Sequence, residues 1–78
     1  MSFKEFKEEY NEYIKNNYIK ITTLQDDFSK IIIVFVNRYS ELSSIYMDKQ
    51  IQEKIVLDLK KAGFRYYERI CGYKKHIK

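Results

Sequence analysis

The chain has no proline or tryptophan, two glycines, one cysteine and one histidine among its 78 residues. A single cysteine cannot form an internal disulfide, so the disulfide framework of short secreted domains is excluded and a cytoplasmic location is expected. Gly63 and Gly72 are too few for a glycine-rich phosphate-binding loop. The spacing of Cys71 and His76 matches no zinc site. We therefore expect no catalytic residue, no metal and no cofactor.

Long apolar segments are missing as well. The longest apolar run, residues 31–36, has six residues, whereas a helix needs about 20 to cross a bilayer. Charged residues near the N-terminus, at positions 4, 5 and 7–9, occupy the place of a signal peptide's apolar region. We expect no membrane partner and one domain over residues 1–78, because this length provides a single core. Because a core of this size provides limited stability and no disulfide supplements it, a homodimer is an open alternative.

Two segments carry the signals of amphipathic helices. Ser2 and Glu5 have the spacing of a capping box, and the apolar stripe that follows predicts a helix over residues 3–16; its members are Phe3, Phe6, Tyr10 and Tyr13. A second stripe, with Gly63 just beyond it, predicts a helix over residues 47–62; its members are Ile51, Ile55, Leu59 and Ala62.

The segment between these helices decides the fold. Residues 18–25 and 30–37 are rich in β-branched side chains and flank a short polar stretch, which favours a hairpin. The competing interpretation is a helix capped at Thr23, supported by the absence of glycine and proline. Residues 31–36 are apolar around every side of such a helix, which is instead typical of a central strand covered on both faces. We favour the hairpin.

The segment after Gly63 completes the fold prediction. Residues 64–71 have the aromatic and β-branched content of a strand. The predicted fold is a small α+β domain of order α-β-β-α-β, with its helices on a short sheet. Strand 30–37, helix 47–62 and strand 64–71 would then form a right-handed crossover unit. The alternative is an all-α bundle of three or four helices.

Positive charge is concentrated in the last quarter of the chain. Residues 60–78 hold seven Lys or Arg against one acid, whereas residues 1–59 hold eight against ten. Cations neutralise phosphates and aromatic rings stack on unpaired bases, so this segment indicates a nucleic-acid or other acidic partner. In a strand, Arg65, Tyr67 and Arg69 would form one row. The candidate binding surface consists of Lys60, Lys61, Arg65, Tyr67, Arg69, Tyr73, Lys74 and Lys75.

These observations predict a small non-catalytic binding protein. The abundance of Ile, Lys, Asn, Tyr and Phe indicates an AT-rich genome. With the small size, it favours an accessory or inhibitor protein of phage or mobile-element type that docks on a host protein or ribonucleoprotein complex. Direct binding of DNA or RNA is the first alternative. A small metal-dependent nuclease, with Asp26 and Asp27 as acidic ligands, is the lesser alternative.

Overall fold

The computed structural model describes residues 1–77 and shows a small α+β domain. Its helices are α1 (Phe3–Glu9), α2 (Asn11–Lys15) and α3 (Lys49–Lys61). Its strands are β1 (Ile19–Gln25), β2 (Lys30–Val36), β3 (Tyr39–Ser40), β4 (Ile45–Tyr46), β5 (Arg65–Tyr67) and β6 (Gly72–Ile77). The α+β prediction and the 18–37 hairpin are confirmed, and the all-α alternative is wrong.

The main sheet has four strands in the order β1-β2-β6-β5, and every neighbouring pair is antiparallel. Since β2 and β5 both run antiparallel to β6, they are parallel to each other. The predicted crossover therefore exists in part, because α3 does join two parallel strands. They are not neighbours, however, since the last strand of the chain inserts between them.

The first predicted helix is interrupted at Tyr10. The capping box between Ser2 and Glu5 is present and starts α1. At Tyr10 the backbone turns to φ −105° and ψ 24°, and α2 begins one residue later. The Tyr10 ring is buried beside Phe6, at 4.9 Å between ring centroids, and its hydroxyl donates a hydrogen bond to Asp58 of α3. Burial, together with this bond, raises the pKa of Tyr10 above its ordinary value.

The predicted strand over residues 64–71 is wrong beyond Tyr67. A 3-10 turn over Glu68–Ile70 follows β5, and Cys71 then adopts the left-handed conformation at φ 51°. The chain reverses there and returns as β6, which lies in the middle of the sheet. Arg69 sits in the turn, so the predicted row of Arg65, Tyr67 and Arg69 does not form.

A second hairpin, β3 and β4, was not predicted. The Tyr18 hydroxyl hydrogen bonds with the Ser43 hydroxyl and donates to the Ile45 carbonyl, while the Ser40 hydroxyl donates to the Asn16 carbonyl. Ser44 takes the left-handed conformation at φ 56° that its tight turn requires. These bonds hold the hairpin against the end of the main sheet.

The core lies between the helices and one face of the main sheet, which we call the helix side. Asp48 caps α3 by accepting from the Gln50 N–H at 2.8 Å, and Gly63 ends it at φ 95°. Buried side chains from both layers meet there, and they include Phe6, Tyr10, Ile19, Ile32, Val34, Ile55, Leu59 and Phe64. Within residues 1–77 none of the helices is long and apolar enough to cross a membrane.

Candidate nucleic-acid interface

The face of the main sheet opposite the helices carries a different set of side chains, which we call the open face. Side chains alternate between the two faces of a strand, so the neighbours of the buried Ile32 and Val34 point away from the core. Ile31, Ile33 and Phe35 remain partly exposed because no helix in residues 1–77 packs on them. The open face consists of Lys20, Thr22, Leu24, Ile31, Ile33, Phe35, Arg65, Tyr67, Gly72, Lys74 and His76.

Strand register arranges this open face in rows that cross the four strands. One row runs Lys20, Phe35, Gly72 and Tyr67, since Lys20 pairs with Phe35 and Tyr67 pairs with Gly72. The next row runs Thr22, Ile33, Lys74 and Arg65. Two aromatic side chains therefore flank a glycine in the first row, and two cations are side by side in the second.

The Phe35 ring lies over Gly72. A Cβ atom on Gly72 would be 2.8 Å from Phe35 Cε1 and 2.9 Å from Cδ1, which is too close for a real contact. Lys74 lies on the same strand as Gly72, and its ammonium nitrogen is 4.2 Å from the centroid of the Tyr67 ring on β5. This distance is within the range of a cation–π interaction. The glycine thus leaves space for the Phe35 ring, and Lys74 holds its charge near the Tyr67 ring.

All charged side chains in the strands of the main sheet are positive. The four strands of the main sheet contain no Asp or Glu, and the acids of the chain lie in helices, turns and loops. Arg65 is directly opposite Lys74 in the β5–β6 pair. Like charges at directly opposed positions destabilise a sheet, and within residues 1–77 neither side chain forms an ion pair. This arrangement favours an anion on the open face.

The structure divides the predicted contact residues between two sides. Arg65, Tyr67 and Lys74 lie together on the open face. Lys60 and Lys61 are exposed in the last turn of α3, away from it, and Arg69 is exposed in the 3-10 turn. Tyr73 and Lys75 belong to the helix side.

Those two helix-side residues have structural partners. Tyr73 packs against the core and against the Tyr66 ring at 5.2 Å, and its partial burial raises its pKa. Lys75 donates a hydrogen bond of 2.7 Å to the Ala62 carbonyl just beyond α3. Both side chains therefore contribute to the packing of β6 under the helix, on the side of the sheet opposite Arg65, Tyr67 and Lys74.

The sequence interpretation missed Lys20 and Phe35 as members of the surface. The signal for Phe35 was the apolar run 31–36, which was interpreted as a strand covered on both faces. A strand with one open face has the same pattern when its outward-facing side chains are apolar and partly exposed, as they are at Ile31, Ile33 and Phe35. The apolar run 31–36 predicted strand β2 correctly, but it did not predict that the face of β2 opposite the helices is partly exposed.

A cavity of about 250 Å³ continues the open face past Lys20. Its other walls are formed by Asn17 before β1, Asn37 after β2, and residues 39–42 of the second hairpin. The Tyr39 and Tyr46 rings are in contact in a tilted arrangement, with 4.9 Å between their centroids, and both are exposed. Two amides and the Tyr39 ring thus line the space next to the start of β1.

The chain matches no known protein family, and no characterised protein or solved structure matches it. Functional inference therefore rests on the side chains themselves. Within residues 1–77 there is also no group of three His, Cys, Asp or Glu side chains placed to hold a metal ion. Asp26 in particular is engaged locally, since its carboxylate accepts from the Phe28 and Ser29 N–H groups at 2.8 and 2.7 Å. These bonds lower the pKa of Asp26.

Proposed function

We propose that this protein binds single-stranded nucleic acid stoichiometrically on its open face. The observation that carries the proposal is the cross-strand pair Arg65 and Lys74, unneutralised beside a row that holds Phe35 and Tyr67. A phosphate between the two cations would turn a repulsive pair into a favourable one.

The aromatic row favours a single strand over a duplex. Unpaired bases expose their faces, and stacking of a base on an aromatic side chain contributes about 1–3 kcal/mol in such proteins. In a duplex the bases are already stacked and paired, so Phe35 and Tyr67 would have nothing to contact. The partly exposed Ile31 and Ile33 add apolar surface that a bound nucleic-acid strand would cover. Sequence preference from these groups is expected to be weak.

The salt dependence of oligonucleotide binding tests this proposal. A labelled single strand of about 10 nucleotides is titrated with protein by fluorescence anisotropy at several salt concentrations. Neutralisation of phosphates by Lys20, Arg65 and Lys74 predicts a slope of log K against log salt of about −2. The affinity should fall about 20-fold between about 50 and 200 mM salt.

A duplex of the same sequence is the matched control, and it should bind more weakly than the single strand at every salt concentration. Absence of binding at low salt would overturn the proposal. So would an affinity that does not change with salt, because contacts to phosphate release counterions.

Docking on a protein of a nucleic-acid-handling complex is the second candidate, and the second hairpin is the feature that favours it. Its apolar side chains Leu42, Ile45 and Tyr46 are 65%, 65% and 69% exposed, and clustered exposed apolar groups are a common mark of protein contacts. An accessory or inhibitor protein of phage or mobile-element type would act in this way. A stoichiometric partner that survives nuclease treatment of a host lysate, together with no oligonucleotide binding, would favour this candidate over the first.

A further inference from the structure

The two edges of the main sheet differ in how they are protected. The β5 edge has only three residues and ends in the 3-10 turn, so it offers little backbone for pairing with another strand. The β1 edge has seven residues that pair with β2 in unbroken register, without a bulge, proline or glycine. Residues 22–25 of this edge are exposed. Natural sheets normally block such an edge, because its free backbone groups pair readily with another strand.

Hydrogen bonds at both ends of β1 identify its free backbone groups. Asn37 N–H donates to the Tyr18 carbonyl at 2.7 Å, and Asp26 N–H donates to the Ser29 carbonyl at 3.0 Å. Residues of an antiparallel pair alternate between groups bonded to the partner strand and groups that point away from it. Even-numbered residues of β1 therefore bond to β2, and the N–H and C=O groups of Ile21, Thr23 and Gln25 point outwards.

We infer that β1 pairs antiparallel with β1 of a second copy, about a two-fold axis at Thr22. Thr22 is the midpoint of β1, so this register pairs the whole strand. It sets Ile21 of one copy opposite Thr23 of the other. Both residues have outward-pointing backbone groups, so they exchange hydrogen bonds on both sides of the axis. In a register shifted by one residue, each residue with outward-pointing N–H and C=O groups would face a residue whose groups point towards β2. No hydrogen bonds would then form between the two β1 strands.

Side chains also match across this axis. Lys20 of one copy faces Leu24 of the other, so the lysine stem covers an apolar group and its charge meets no like charge directly. Thr22 faces itself, a small polar pair that fits the close spacing of a non-hydrogen-bonded position. The axis is perpendicular to the sheet, so the open faces of both copies lie on the same side. The result is one continuous eight-stranded sheet with a doubled cationic surface.

The occupant is a second copy because the strand is complementary to itself. An isologous two-fold contact needs the same patch to fit its own copy, and the Thr22 register meets this condition for backbone and side chains together. β1 contains one charge, Lys20, and no acid that would select a basic peptide instead. The inference does not depend on the proposed function, since the backbone of β1 carries it.

Substitution of Thr23 by proline tests the pairing at the backbone. Proline removes an N–H that points outwards and is tolerated at such positions of edge strands, so the bonds to β2 stay intact. Sedimentation of nuclease-treated protein over about 1 µM to 1 mM should show the parent chain approaching twice 9.6 kDa. Thr23→Pro should remain at the monomer mass with an unchanged circular dichroism spectrum. Thr23→Val, which keeps the N–H, should dimerise like the parent.

Charges at the axis provide a second test that does not use proline. Thr22 is exposed, so Thr22→Lys and Thr22→Glu should both fold, but each places like charges opposite each other in the dimer. Each should weaken self-association roughly fivefold. An equimolar mixture of the two variants should restore dimers, because lysine then faces glutamate. A parent chain that stays monomeric at the highest concentration, or a folded Thr23→Pro that still dimerises, would overturn the inference; a mixture without recovery would overturn the Thr22 register.

Discussion

Replacement of Lys20, Arg65 and Lys74 by glutamine is expected to lower the affinity for a single-stranded oligonucleotide about 100-fold at low salt. Glutamine is shorter than lysine or arginine, but it keeps the methylene groups nearest the backbone and remains polar, so the main change at each position is the loss of charge. The slope of log K against log salt should become less negative by about 2, since single strands release about 0.7 counterions for each neutralised phosphate. Fluorescence anisotropy over a salt series measures both quantities.

The matched control removes three charges from α3 instead. Lys49, Lys60 and Lys61 are exposed on the helix layer, so a variant with glutamine at these positions has the same net charge as the open-face variant. Its affinity should fall no more than about threefold, through long-range attraction alone. Equal losses in the two variants would contradict a localised surface. A larger loss in the α3 variant would support the prediction from the sequence that Lys60 and Lys61 are contact residues.

Substitution of Gly72 by alanine should destabilise the domain by about 1–3 kcal/mol, because the new methyl group occupies the place of the Phe35 ring. The contact distances of 2.8 and 2.9 Å leave no room for it unless the ring swings off the sheet. Urea unfolding of the parent and the variant measures this loss. Displacement of Phe35 should also weaken oligonucleotide binding, since the ring would no longer keep its position over Gly72 beside Tyr67.

The same substitution in a Phe35→Ala background is the control. Without the ring, alanine at position 72 meets no side chain from Phe35, and it has lower backbone entropy in the unfolded chain than glycine. The substitution should then be neutral or stabilising by up to about 1 kcal/mol. A sign change between the two backgrounds identifies the ring as the cause. The same cost in both backgrounds would show that another contact, such as the Val34 carbonyl at 3.4 Å, determines it.

Local signals predicted much of the fold correctly. The capping box at Ser2, the stripe of α3 with Gly63 behind it, and the β-branched hairpin over residues 18–37 each depend on neighbours in the chain. The break at Tyr10 was not predictable in this way, because it serves a hydrogen bond to Asp58, 48 residues away. The reversal at Cys71 has a similar origin. It allows β6 to enter the centre of the sheet, and the left-handed position is occupied by Cys71 rather than by the neighbouring Gly72, the usual turn residue of this segment.

The candidate site could be predicted only in part. Charge counting found Arg65, Tyr67 and Lys74, which the structure brings together on the open face. It could not separate them from Tyr73 and Lys75, because that division depends on which face of β6 points to the helices. Lys20 comes from a segment with no excess of charge and joins the surface through strand pairing alone. The strand order and register of the main sheet were therefore needed to assign these side chains to its open face or to its helix side.

Photocross-linking is the most direct test of the open face as a nucleic-acid surface. A single strand that carries 5-iodouracil is bound, irradiated and analysed by mass spectrometry for the modified side chains. The open-face account predicts adducts on Phe35 and Tyr67, the two aromatic side chains in the row beside Arg65 and Lys74. Adducts confined to Tyr39 and Tyr46 of the second hairpin, with none on Phe35 or Tyr67, would contradict it.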